Sequence, residues 1–425
     1  MIAWLLISFF VLLFLGVPIA MSLGLSAIGG ILFLGGGSTV TIAQRMFEGM
    51  NSFALLAIPL YTFAGFTMSK GGISKRLMDF CYSIVGHIYG GLAHVNVLSS
   101  MIFAGISGSA VADTAGVSGM FMPEMVRKGY SKKFTVAVTA ISSTIGIIIP
   151  PSIPMVVIAG ICGISTGKLF LGGIIPGVLC GLAQMIVSYF MAKKEGVPKE
   201  PGHFTIGPVL HGLWESWPAL LMPIIIVGTI TLGIVSPTEA GVIAVVYGLF
   251  AGGIIYRELK WEDIKFAFAE TVRTSGRIFI VIGAAKLYTV MLTTAGFDKW
   301  VANTMLGFST NPTVILVMIL LIFFIVTMFM ESIATLTLFM PILYPIALGV
   351  GIDPIVLSVL ITVVIGVGLV TPPVGMCIYV ACDLMDITVG EVFPTLLPFI
   401  AATFVCIVLM IAFPQLILLP TYLMA

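Results

Sequence analysis

The chain has 425 residues, of which 59% are hydrophobic and only 9% charged, with a net charge of +1. A soluble globular chain carries about 25% charged residues, so this composition excludes a soluble fold. The mean hydropathy of +1.19 fits a chain whose surface meets lipid, where charge is not needed. The net charge of +1 says nothing about nucleic acid, but there is no basic stripe, and no nucleic-acid partner is expected.

A helix needs about 20 apolar residues to cross the hydrocarbon. Charge-free stretches of that length cover residues 1–44, 134–167, 216–238, 302–330, 354–382 and 392–425. With the shorter stretches they predict roughly 11 to 13 membrane segments, re-entrant ones included. No Lys or Arg precedes Arg45, so the N-terminus lacks the basic flank of a cleaved signal peptide and reads as a retained first helix. The basic residues fall in four short connections: Lys70/Lys75/Arg76, Arg127/Lys128/Lys132/Lys133, Lys193/Lys194/Lys199 and Arg257/Lys260/Lys265. Basic loops stay cytoplasmic, so an even number of crossings separates neighbouring clusters.

Between the first two clusters, GISGSAVADTAG (105–116) is small, polar and carries Asp113. It predicts a re-entrant hairpin, since irregular backbone at membrane depth survives only where protein or a water-filled cavity lines it. Residues 134–161 then run outward and 169–191 back. Segments 213–232 and 240–256 form a second pair that turns at Pro237, with Glu239 as a helix N-terminal cap. In 266–294, Arg273, Arg277 and Lys286 stand at helical spacing. They form either a cytoplasmic amphipathic stretch or a cavity wall that meets an anion, which makes Arg273 a substrate-binding candidate. The six cysteines sit in apolar runs with neither disulfide nor CxxC spacing, and the four histidines form no ligand pair.

An internal repeat organises the chain. Phe121-Met122-Pro123 recurs as Phe339-Met340-Pro341, and Asp113-Thr114 matches Glu331-Ser332 at the same offset. GIIIPP (146–151) recurs as GLVTPP (368–373) after a four-residue insertion, and Pro176 falls on Pro398. The connection 124–133 holds four basic residues and its counterpart 342–354 none, so the halves read as inverted in the membrane. The expected fold is an all-α polytopic membrane protein of inverted repeats with re-entrant hairpins and broken helices. Residues 1–76 and 193–295 are assigned to scaffold and arm helices. Residues 77–192 and 296–425 are assigned to two transport repeats.

Each repeat has a polar hairpin tip and a double proline inside an apolar span. Proline lacks an N–H and disfavours helix in the residue before it, so both spans should unwind at mid-membrane. Freed carbonyls and hydroxyls suit a small hard cation such as Na⁺, and half-helix N-termini suit a carboxylate. The cation candidates are Ser107, Ser109, Asp113, Gly146, Ile149 and Pro150 in the first half. In the second they are Glu331, Ser332, Gly366, Gly368, Thr371 and Met376. Ser152, Thr335 and Pro373 join Arg273 as substrate candidates. A carboxylate at membrane depth is costly to insert, so Asp113 and Glu331 should ligate a cation, carry a proton or cap the hairpin.

The run GISGSAVADTAG, then FMPEMVRKGYSKKFTVAVTAISSTIGIIIPPSIP, with GIVSPTEAGVIAVVYGLF and LVTPPVGMCIYVA, resembles the large membrane subunit of TRAP (tripartite ATP-independent periplasmic) transporters over essentially the whole chain. The resemblance implies a bacterial inner-membrane permease, not an enzyme, in which Na⁺ (two or more ions) drives uptake by an elevator motion. It implies a separate small four-helix membrane subunit and a soluble periplasmic binding protein as partners. The substrate it implies is a small organic acid of the sialic acid or C4-dicarboxylate type. The second tip departs from the family pattern: it lacks glycine and carries Glu331 where an aspartate is expected. Two other readings stand beside it. An ATP-driven importer subunit would need a cytoplasmic docking loop, and the loops here are short. An intramembrane enzyme would need Asp113 and Glu331 as an acid pair.

Overall fold

A computed structural model describes residues 1–34, 39–197 and 204–423; Lys199 and His203 lie outside this set. Every regular element among the described residues is helical. The N-terminal group is α1 (Ile2–Phe14), α2 (Ile19–Leu34), α3 (Thr39–Met50), α4 (Ala57–Lys70) and α5 (Ile73–Val85). The first hairpin is α6 (Gly91–Ser107) and α7 (Ala110–Arg127). Next come α8 (Lys132–Ser143), a 3₁₀ turn Thr144–Ile147, α9 (Ile153–Cys162) and α10 (Thr166–Glu195). The middle group is α11 (Ile206–Thr231), α12 (Pro237–Phe250), α13 (Trp261–Thr294) and α14 (Phe297–Phe308). The second hairpin is α15 (Pro312–Thr327) and α16 (Ser332–Gly349), followed by α17 (Pro354–Gly368), α18 (Met376–Met385), α19 (Val389–Ala412) and α20 (Gln415–Leu418).

Among the described residues, seven helical segments are long and apolar enough to cross a membrane alone, including α10, α11, α13, α16 and α19. The shorter apolar helices include α9, α17 and α18, each too short to span alone. At Pro237 the turn forms as expected: Ser236 and Glu239 make a reciprocal capping box, with the Ser236 N–H donating to Glu239 Oε2 at 2.6 Å. Such a box satisfies two of the N–H groups a helix start leaves orphaned.

The long α10 measures the inversion. Its last residue, Glu195, accepts a 2.9 Å hydrogen bond from Ser131, just before α8. Lys132 there reaches the carbonyl of Met385, the end of α18, at 3.2 Å. Near its other end, a Cβ on Gly172 would touch Ile355 at 3.2 Å and Ile417 at 3.3 Å, at the start of α17 and in α20. A helix of 30 residues is about 45 Å long at 1.5 Å per residue, enough to put its ends on opposite membrane faces. The α7–α8 and α16–α17 connections therefore open on opposite sides, and the halves are inverted.

The register of the repeat differs from the sequence alignment. α7 begins at Ala110 and α16 at Ser332, and they end at Arg127 and Gly349, a constant spacing of 222 residues. Gly129 and Gly351, with φ of 91° and 83°, keep that spacing, as do the caps Ser131 and Asp353 and the two double prolines. There is no four-residue insertion before the prolines. The Phe-Met-Pro match was displaced by four residues, about one helical turn, which leaves side chains on nearly the same face and so misleads a pattern comparison. Pro123 corresponds to Pro345, and Asp113 to Thr335 rather than to Glu331.

Two apolar cores hold the bundle. The larger joins both hairpins, both broken helices, α10 and α19. The smaller seats one stripe of α16 (Ala334, Leu338 and Ile342, with Met330 before it) on α13, α1 and α2 through Tyr288, Met291, Leu5 and Leu23. Tyr288 spends its hydroxyl there on the Leu5 carbonyl at 2.9 Å.

Candidate functional site

The first tip is built by backbone chemistry. Gly108 closes α6 with a left-handed φ of 65°, a conformation glycine adopts without steric cost. Ser109 then caps α7, accepting from the Ala112 N–H at 3.4 Å. Asp113 follows one turn inside α7 and is fully buried. Ser107 donates to its Oδ1, while Oδ2 has no hydrogen-bond partner among the described residues. That free oxygen rests on Gly146, in the 3₁₀ turn before the first double proline; a Cβ there would overlap it.

The tip is locked to the break. The Ile153 N–H donates to the Gly108 carbonyl at 3.2 Å, and a Cβ on Gly108 would lie 2.7 Å from the Pro151 carbonyl. Ser152 caps α9 by accepting from the Met155 N–H at 3.3 Å and donates to the Ile147 carbonyl at 2.5 Å. Its hydroxyl thus ties the two half-helices together and is not left for substrate. The Ile149 side chain points away, against Gly177 of α10, so only its backbone belongs to the site.

The second tip uses the same plan with donors exchanged. Glu331 caps α16, accepting from the N–H groups of Ile333 at 2.9 Å and Ala334 at 3.3 Å and from the Ser332 hydroxyl at 2.8 Å. It occupies the place of Ser109, and buried Thr335, whose hydroxyl donates to the Glu331 carbonyl at 3.1 Å, occupies that of Asp113. One site pairs a hydroxyl cap with an inner carboxylate, the other a carboxylate cap with an inner hydroxyl. The lock also recurs: the Val374 N–H, past the second double proline, donates to the Met328 carbonyl at 2.9 Å. Thr371 returns its hydroxyl to the Val367 carbonyl at 2.7 Å. Gly368 faces Thr327 at the end of α15, its Cβ position 2.7 Å from the threonine Cβ. Met376 opens α18, and Pro373 and Val374 are exposed.

The two sites adjoin. Gly366 faces Thr144 across the breaks, with a Cβ position 3.3 Å from the threonine Cβ. α18 packs on α7 and α8, and α9 packs on α16; the Cys377 thiol meets the Thr114 hydroxyl beside Asp113. Left-handed Gly375, with φ of 47°, closes the expected second break, 366–375, whereas Thr144 and Cys377 were not candidates from sequence. Only Gly375, beside the double proline, carried a local signal. Neither Asp113 nor Glu331 has an ion-pair partner among the described residues. Arg273 does not join the sites: two-thirds exposed, it pairs with Glu270 one turn away at 2.6 Å. The amphipathic reading of that stretch fits its placement and the cavity reading does not.

The family model for the DctM component of tripartite ATP-independent periplasmic transporters matches residues 6–416. The chain is 35% identical over 408 residues to the sialic acid TRAP transporter large permease protein SiaM of Vibrio cholerae, covering 96% of this chain and 95% of that one. It is 37% identical to the isethionate TRAP transporter permease protein DctMQ of Oleidesulfovibrio alaskensis, over 92% of this chain but 62% of that longer protein. Among solved structures, the Alcanivorax borkumensis YdaH transporter matches with a TM-score of 0.60 at 14% identity, over 89% of this chain and 88% of that one, a likeness of fold alone. With a match over nearly its whole length and relatives that are permeases rather than enzymes, this multi-pass membrane chain belongs to the DctM family of TRAP transporter large permease components.

Proposed function

We propose that the two tip-and-break sites bind Na⁺ as cargo, and that the chain couples its inward gradient to import of a small organic acid. The observation that carries this is the Asp113 carboxylate, buried with one oxygen unpartnered and with no Lys, Arg or His paired to it among the described residues. A charge at membrane depth needs compensation, and a hard monovalent cation held by that carboxylate, tip hydroxyls and carbonyls freed at the break supplies it. The second site supports the same reading with Glu331, Thr335 and Thr371 as oxygen donors. The substrate is a sialic acid, a C4-dicarboxylate or a small sulfonate such as isethionate, the chemistry of the relatives' cargoes. It docks between the tips, where Pro373 and Val374 of the second break are exposed. A soluble periplasmic binding protein delivers it and a small four-helix subunit braces the scaffold. The hairpins and broken helices move together against α1–α4 and α11–α13, in the bacterial inner membrane.

The test is uptake into proteoliposomes holding the chain with its small subunit and binding protein, across a panel of those acids. Uptake of one acid that requires inward Na⁺, stops when K⁺ replaces it and needs no ATP is expected. Equal uptake in Na⁺-free K⁺ buffer would sink the coupling.

A further inference from the structure

Behind the first site lies a polar seam that neither tip explains. On α8, Thr135, Thr139 and Ser142 stand at successive turns of one face, and Gly146 follows at the next. On α6, Asn96 and Ser100 stand on one face that Ser107 completes at the tip. The stripes face each other. Ser100 donates to Ser142 at 3.0 Å, Ser142 reaches Asn96 Oδ1 at 3.1 Å, and Asn96 donates to Thr139 at 2.7 Å. From α10, Gln184 joins them, its amide reaching the Ile141 carbonyl at 3.4 Å, and Ser188 follows one turn nearer the cytoplasmic end. All eight polar side chains are buried. Thr135 Oγ1, Gln184 Oε1 and Ser188 Oγ have no hydrogen-bond partner among the described residues, and polar atoms left so are normally satisfied by water.

Both stripes converge on one carboxylate. The α6 stripe ends at Ser107, which donates to Asp113 Oδ1. The α8 stripe ends at Gly146, on which Oδ2 rests. The other end lies toward Ser131, Lys132 and Glu195, at the end of α10 whose basic connections mark the cytoplasmic side.

Helix packing does not require this polarity. At the corresponding places of the second repeat, 222 residues on, stand Met318 and Ile322 on α15, Leu357, Ile361 and Val364 on α17, and Cys406 and Met410 on α19. The hydroxyls α17 does carry, Ser358 and Thr362, are off that stripe; they return to backbone carbonyls at 2.6 and 2.9 Å, as Thr139 and Ser142 do on α8 at 2.8 and 3.1 Å, but unlike those two they make no side-chain bond to a neighbouring helix. Burying a polar side chain where an apolar one packs equally well is unfavourable without a compensating role. One half keeps a polar seam and its inverted twin an apolar one.

We propose that the seam is a hydrated inward passage through which the monovalent cation at the first tip exchanges with the cytoplasm. The passage is one-sided, because the equivalent route from the second tip to the opposite face is apolar. With the first site closed to the outside, a cation thus leaves inward through the body of the first repeat, without using the substrate's opening. The assignment of cargo rests on the Na⁺ reading above; the passage itself does not.

Ag⁺, a monovalent cation that reacts with thiols, probes it in the full complex. In inside-out vesicles, uptake by Ser142→Cys and Thr139→Cys proteins is expected to be inactivated by Ag⁺ at least tenfold faster than by the unsubstituted chain, whose six cysteines set the background. Val364→Cys, in the apolar twin, stays at background from either side. Background reactivity of both seam cysteines in transport-competent protein overturns the passage. If the cysteine variants do not transport, Thr139→Val decides: release of radioactive Na⁺ to the cytoplasmic side slows at least tenfold at unchanged Na⁺ affinity, and an unslowed release overturns it. Reactive seam cysteines with Na⁺-independent uptake would remove Na⁺ as the cargo and keep the passage. Unreactive ones with Na⁺-dependent uptake remove the passage alone.

Discussion

Asp113 and Gly146 form a lock of carboxylate on bare backbone, and its two halves can be tested separately. Asp113→Asn keeps the shape and removes the charge, so thermal stabilisation by Na⁺ over K⁺ should vanish while the protein stays folded. A ligand at 100 times its Kd stabilises by about 2.7 kcal/mol, so the lost increment is measurable. Gly146→Ala instead drives a methyl into the carboxylate, and the apparent Na⁺ affinity should fall at least tenfold, about 1.4 kcal/mol. A retained affinity would show that Asp113 is not where the ion sits. Glu331 does different work, because its carboxylate already accepts two helix N–H groups. Glu331→Ala should cost about 1 kcal/mol of stability, the usual worth of an N-cap, and Glu331→Asp should recover most of it in thermal unfolding. Both acids were legible from sequence, since a carboxylate in an apolar span stands out. Their unlike roles were not, because capping geometry depends on where the helix starts, to the residue.

Among elements, each hairpin tip is bound to its own broken helix by a backbone hydrogen bond. Gly108 tests this against a built-in control. Gly108 and Gly163 both have left-handed φ, 65° and 69°, but a Cβ on Gly108 meets the Pro151 carbonyl at 2.7 Å and one on Gly163 meets nothing within 4 Å. Each alanine should pay about 1–2 kcal/mol for the backbone. Only Gly108→Ala should also lose uptake, by at least tenfold; equal losses would mean that the tip–break contact is incidental. The hairpin, the double-proline breaks and the Pro237 turn were all readable as helix punctuation. The register between repeats was not: Pro341 and Pro345 lie one turn apart in α16, and a sequence match can rest on either.

For the whole molecule, the inversion makes a plain topological forecast. Lys128→Cys and Gly349→Cys, on exposed positions at the ends of α7 and α16, should label with an impermeant thiol reagent from opposite sides of sealed vesicles. Labelling of both from one side would replace the inverted arrangement with a parallel duplication. The asymmetry between halves matters as much as their likeness. The same backbone plan carries a carboxylate inside α7 and at the cap of α16, and a polar seam behind one site only.

Composition, apolar length and proline spacing determined by themselves that this chain spans a membrane, repeats, and breaks its helices twice at depth. Those are local properties of hydrophobicity and of a residue that cannot donate an N–H. Which groups face one another was decided only by the tertiary structure. The meeting of Gly366 with Thr144, the crossing of α18 onto the first hairpin and the exclusion of Arg273 all depend on packing between segments far apart in sequence. A period of 3.6 residues leaves that open, because it says which face of a helix is buried and not what lies against it.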